Sequence, residues 1–167
     1  VSSVDNNTSE APSEETSDSG ELTFTPDSTN VKLIGRTLLS DDVLWLAQSA
    51  SGIEFTFKGT HASMTVKGDG TAFGSADSQA RFAVYVNGER TLDEMVDEYE
   101  KTYELFSSDT AEDVDIRVVK LSESANSTFG IDSVSGASEN GVSPAPAKDL
   151  KIEFIGDSIT CGYGVDD

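Results

Sequence analysis

From about Val31 onward, apolar residues recur at every second position, and that period limits what the chain can fold into. Ile53, Phe55 and Phe57 alternate with Glu54 and Thr56; Ala62, Met64 and Val66 alternate with Ser63 and Thr65. Phe82, Val84 and Val86 alternate with Ala83 and Tyr85, and Val114, Ile116 and Val118 with Asp115 and Arg117. Phe129, Ile131 and Val134 close the series. A strand sends successive side chains to opposite faces, so this pattern gives each run a buried side and a wet one. Asn87-Gly88 follows the third run and suits a type I′ hairpin turn, which needs positive φ at both central residues. Short strands parted by turns every dozen or so residues predict an antiparallel β-sandwich. One stretch departs from the pattern. Leu92, Met95, Val96 and Tyr99 sit at helical spacing, and periodicity alone points to a short helix over Thr91 to Glu100.

The flanks differ in composition. Val1 to Glu21 is built mainly from Ser, Thr, Asn, Asp, Glu, Ala and Pro, with six acids and no basic residue. It has little to bury, so it cannot offset the entropy of ordering. Residues 1–30 are therefore expected to form a disordered acidic leader, and 31–136 the β-domain. Residues 137–149 hold Gly141, Pro144 and Pro146 among small residues and read as a linker. Residues 150–167 begin a second architecture. Ile152, Phe154 and Ile155 lead straight into Gly156-Asp157-Ser158, the pattern of a buried strand that delivers a serine at a tight turn. A serine hydroxyl is a weak nucleophile until a base sits beside it and backbone donors face the developing oxyanion. The end of a strand offers such donors. The bare tripeptide is also a common surface turn; the apolar approach and the following Ile159-Thr160 give it a context that Gly130-Ile131-Asp132-Ser133 lacks.

With these residues in view, Phe154 to Thr160 resembles the first sequence block of the SGNH, or GDSL-type, esterases. The longer run Ile152 to Asp167, with Cys161-Gly162-Tyr163-Gly164, resembles the family 2 carbohydrate esterases. Gly35-Arg36-Thr37, Val43-Leu44-Trp45-Leu46 and Ser51 to Phe57 are similar to the N-terminal β-domain of that family. The resemblance implies a jelly-roll-like β-sandwich followed by the first strand of a truncated α/β hydrolase domain. It implies strand and loop, not helix, across Glu89 to Phe106. It implies Ser158 as the catalytic nucleophile, whose backbone N–H also serves the oxyanion, and places Tyr163 at the substrate cleft. The family's catalytic histidine lies far beyond the serine, so this chain is expected to be inactive alone. The implied substrate is acetylated plant polysaccharide or oligosaccharide, with no metal or organic cofactor. The implied setting is extracellular or cell-surface, with an export signal removed before Val1.

The remaining residues narrow the field. Eleven basic against 31 acidic residues give a net charge of −20, which removes the basic footprint that nucleic-acid binding requires and disfavours anionic membranes. A neutral sugar ester meets no such barrier. No apolar stretch approaches the ~20 residues of a membrane span. His61, the only histidine, opens a predicted strand and reads as an exposed strand-edge residue, not as the base for Ser158. Asp157 is better suited to fixing the turn than to a triad. One histidine and one cysteine, Cys161, cannot build a zinc site, and Asp113 with Asp115 read as solvated acids. Trp45, Tyr85, Tyr99 and Tyr103 are the candidates for a sugar-stacking face, although Val43-Leu44-Trp45-Leu46 looks like core. The competing function class is therefore a non-catalytic glycan-binding or structural β-sandwich.

Overall fold

A computed structural model describes residues 21–123 and 127–160. Nine antiparallel strands run β1 Glu21–Phe24, β2 Lys32–Ile34, β3 Thr37–Ser40, β4 Val43–Leu46, β5 Gly52–Gly68, β6 Ala80–Val86, β7 Glu89–Val96, β8 Glu100–Lys120 and β9 Phe129–Pro144. They join in one ladder of order β3-β4-β9-β5-β8-β6-β7, with β1 added to β9 and β2 to β5. Two short 3-10 turns, Gly70–Phe73 and Ala76–Ser78, lie between β5 and β6.

The ladder does not lie flat. β6 and β9 are three strand spacings apart, which is about 14 Å in a flat sheet. Yet the rings of Phe82 on β6 and Phe129 on β9 are 5.4 Å apart. Phe82 pairs in register with Lys120, and Tyr103 lies seventeen residues earlier on the same strand β8. A straight strand would put that residue about 55 Å away, but the Phe82 and Tyr103 rings meet edge to face at 5.1 Å. The long strands thus bend back and close the sheet over itself in two layers. The inward positions are the alternating residues of the sequence: Ile53, Phe55, Met64 and Val66 from β5, Phe82 and Val84 from β6, Val114, Ile116 and Val118 from β8, and Phe129 and Ile131 from β9.

Register slips mark the bends. β5 slips against both neighbours between Gly59 and His61. A β-bulge bends its strand and sharpens the twist, which a strand folding over a core requires. Glycine is needed there: a Cβ on Gly59 would lie 1.9 Å from the Ala137 carbonyl oxygen.

The structure corrects several expectations. Runs that read as separate strands are continuous, because Ile53–Phe57 and Ala62–Val66 belong to one strand, as do Tyr103 and Val118. Thr91 to Glu100 is strand and loop, as the resemblance implies, and not the helix that periodicity alone suggests. β7 pairs with β6 from Val86↔Glu89 to Ala80↔Val96, and the hairpin contact outweighs the local period. Its turn has φ of 51° at Asn87 and 86° at Gly88, as the sequence predicts. The leader expected over residues 1–30 is folded from Glu21. β1 pairs with β9 at Glu21↔Ala137 to Phe24↔Val134, Phe24 packs on the core, and Asn30 side-chain nitrogen donates to the Thr25 carbonyl at 3.0 Å. Residues 1–20 lie outside the described residues. The linker expected over 137–149 is strand as far as Pro144, since β9 follows β5 to Phe55↔Pro144.

Candidate functional site

Gly156-Asp157-Ser158 forms a turn at the far end of the described chain. Thr160 N–H donates to the Asp157 carbonyl at 3.1 Å, and Ile159 N–H donates to Asp157 Oδ1 at 3.1 Å. Asp157 therefore fixes the turn, the role its side chain suits best. Ser158 is exposed. The strand predicted before it is not formed. Residues 151–157 have no ladder partner, and Ile152, Phe154 and Ile155 are 67%, 79% and 91% exposed. A buried strand needs neighbours on both edges and both faces, and among the described residues none flanks this segment. Tyr163 and Cys161 lie outside the described residues.

His61 is not at this turn. It sits inside the long β5, opposite Ser107 of β8 and Ala137 of β9, with Nε2 3.8 Å from Glu104 Oε2. It is thus neither a strand-edge residue nor part of the serine turn, because β5 continues through the segment that reads as its start.

The four aromatics do not share a face. Tyr103 is in the core, its hydroxyl 3.5 Å from the Met95 carbonyl. Tyr99 is exposed near the β7–β8 junction. Trp45 is half-buried on β4, opposite Gly130, where a Cβ would come within 3.2 Å of its ring. Tyr85 lies on the outer face of β6, with the Arg117 guanidinium 4.5 Å above its ring.

That last pair belongs to a constellation not legible in the sequence. Register places Lys32, Glu54, Arg117, Tyr85 and Arg90 in one row across β2, β5, β8, β6 and β7. Lys32 Nζ bonds Glu54 Oε2 at 2.6 Å, while Arg117 Nη1 stands 4.0 Å from Glu54 Oε1. Arg117 Nε is buried and has no hydrogen-bond partner among the described residues. A cleft of about 340 Å³ opens beside the row, lined by Glu54, Tyr85, Gly88, Asp115, Arg117 and the segment Ala145 to Lys148. The hairpin turn forms a firm wall, because Asn87 N–H donates to the Asp115 carbonyl at 2.8 Å and Asp115 N–H donates to Asn87 Oδ1 at 2.9 Å. Opposite, Ala145 N–H donates to the Glu54 carbonyl at 3.3 Å. Alternation shows that Glu54, Tyr85, Asp115 and Arg117 face outward; only the cross-strand register brings them together.

Two more polar groups, the half-buried Asp69 and the buried Lys120, serve structural ends. Asp69 caps the first 3-10 turn, accepting from Thr71 N–H at 2.8 Å and from the Thr71 hydroxyl, and also binds Thr128 N–H and hydroxyl at 2.7 Å each. Burial pushes its carboxyl up, but the hydroxyl and N–H donors outweigh that and leave it below 3.8. Lys120 is wholly buried and donates to the Ser122 carbonyl at 2.6 Å, the Ser122 hydroxyl at 3.0 Å and the Glu123 carbonyl at 3.2 Å. No group of three or more metal-ligating side chains occurs among the described residues.

Comparison with known proteins agrees with this architecture. Residues 33–146 match the family model of the carbohydrate esterase 2 N-terminal domain, and the chain belongs to that family. A family two carbohydrate esterase from Clostridium thermocellum, solved in complex with cellohexaose, is 29% identical with a TM-score of 0.63, over 80% of this chain and 39% of that one. An acetyl xylan esterase from the rumen bacterium Butyrivibrio proteoclasticus shares the fold at 21% identity and a TM-score of 0.68, over 87% and 38%. A family two carbohydrate esterase from Cellvibrio japonicus does so at 16% and 0.65, over 77% and 36%. The chain thus spans less than two fifths of these enzymes. Curated protein sequences give no match.

Proposed function

We propose that this chain is the N-terminal part of a carbohydrate esterase that removes acetyl groups from plant polysaccharide such as xylan or glucomannan. The observation that carries the proposal is the family match over residues 33–146, followed within a dozen residues by the Gly156-Asp157-Ser158 turn. The β-domain supports the catalytic domain, and Ser158 is the nucleophile. Its Oγ attacks the acetyl carbonyl while a histidine of the hydrolase domain takes the hydroxyl proton. The Ser158 N–H donates to the oxyanion. The sugar oxygen leaves with that proton, and water then cleaves the acetyl ester on Ser158 to release acetate. Tyr163 lines the substrate cleft. The enzyme works outside the cell, where its substrate is.

Acetate release from acetylated xylan by the full-length protein tests this. Ser158→Ala should lower kcat by roughly three orders of magnitude or more, because the covalent route is lost, while the melting temperature stays unchanged. His61→Ala should leave turnover near the wild-type rate. Retained activity in the serine variant, or collapse in the His61 variant with an unchanged melt, would move the active site elsewhere.

A further inference from the structure

We propose that the outer-face cleft at Tyr85 and Arg117 is a second carbohydrate contact, which holds a short stretch of neutral polysaccharide through Arg117, Asp115, Glu54 and Lys148. The proposal rests on the esterase reading for its class of ligand, and on geometry for its place.

The chain carries a net charge of −20, but the four charged side chains lining this cleft are two acids, Glu54 and Asp115, and two bases, Arg117 and Lys148. An anionic ligand would meet both carboxylates and a cationic one both bases. A sugar hydroxyl donates and accepts at once, so it satisfies alternating donors and acceptors without a charge of its own. Arg117 is held in place for this. Tyr85 covers one face of the guanidinium at 4.5 Å and Nε is buried, while the side chain is still 42% exposed. The nearest carboxylate to this planar fork, Glu54, is beyond hydrogen-bond reach at 4.0 Å. The walls are firm too: the Asn87-Gly88 turn is clipped to Asp115 on one side, and Pro146 follows the Ala145–Glu54 bond on the other. Gly88 has no atom within 4 Å of where a Cβ would stand, so the approach over the turn is open. A volume of about 340 Å³ falls at the low end of the roughly 300–1,000 Å³ of small-ligand sites and suits a short saccharide.

The test is a titration of the 15N-labelled 167-residue chain with unacetylated xylohexaose, followed by amide shifts. Saturable shifts at Gly88, Asp115, Arg117 and Ala147 are expected, with a Kd at least tenfold weaker in Arg117→Ala and in Asp115→Asn. The amide spectrum of each variant reports that the fold is kept. If Arg117→Ala does not fold, Asp115→Asn with Lys148→Ala decides. No shift at millimolar xylohexaose would overturn the proposal, and so would shifts centred on Trp45 and Leu38. Preference for a glucuronic-acid-bearing xylan fragment with no response to xylohexaose would overturn the neutral ligand. Failure here with Ser158-dependent esterase activity intact sinks only the cleft, whereas loss of that activity assignment with binding intact sinks only the esterase reading.

Discussion

Lys120 shows how much one buried charge can say about stability. Burial pulls its ammonium down to about 8, against the opposing fields of Glu123 and Asp69. An unfolded lysine titrates near 10.4. Between those values the native state binds fewer protons than the unfolded one, so folding is favoured more as pH rises. The cost of the buried charge is full below pH 8 and relieved from there to about 10.4. Urea unfolding of the wild type and Lys120→Met at pH 7, 8, 9 and 10 measures it. The stability of the wild type should rise relative to the variant by about 1–3 kcal/mol across that window. Parallel curves would mean that the three oxygens around Nζ hold the ammonium at its ordinary value.

At the scale of the element, β5 and β8 decide the architecture, and here sequence and structure diverge most. The alternation of Ile53 to Phe57 and of Val114 to Val118 was legible because each inward residue reaches the same core. Their continuity with Ala62–Val66 and with Tyr103 was not. Gly59-Thr60-His61 and Ser107 to Asp113 look like turns, and a bulge uses the same glycine and polar residues as a turn. β1 and the end of β9 were missed for a related reason. Edge pairing is made by backbone groups, so Thr23 and Ser135 need no apolar signal to meet, and their hydroxyls bond at 2.8 Å. At the candidate site, the Gly156-Asp157-Ser158 turn was readable, while the Arg117 cleft depends on a register that no local pattern encodes. Gly59→Ala tests the bend. Its methyl would meet the Ala137 carbonyl at 1.9 Å, against backbone that cannot yield cheaply. We expect a loss of about 3 kcal/mol or more, read as a fall in urea midpoint with the slope unchanged. A change within about 0.5 kcal/mol would mean the bulge is soft.

For the whole molecule, the folded unit starts before the alternation does. Val31 is buried and Phe24 packs on the core, so the segment from Glu21 is part of the domain. Removing residues 1–20 should leave the melting temperature within about a degree, since that acidic composition offers almost nothing to bury. Removing 1–30 strips β1 from β9 and should lower it by several degrees. Equal melts for the two truncations would show that β1 adds nothing; a large fall for the shorter one would show that the leader packs on the domain.

In the proposed function, the β-domain of the whole molecule is followed by the opening of a serine esterase. Ser158 stands on a turn whose preceding Ile152, Phe154 and Ile155 are exposed, and His61, the one histidine of the sequence, sits within β5 between β8 and β9. The reactivity of Ser158 should therefore depend on the rest of the hydrolase domain. Diisopropyl fluorophosphate labelling, mapped by peptide mass spectrometry, measures this directly. The full-length protein should take up one label per chain on Ser158 and lose its esterase activity in step, while the 167-residue chain stays unlabelled under the same conditions. Labelling of a different residue, or full activity with Ser158 unmodified, would contradict the account.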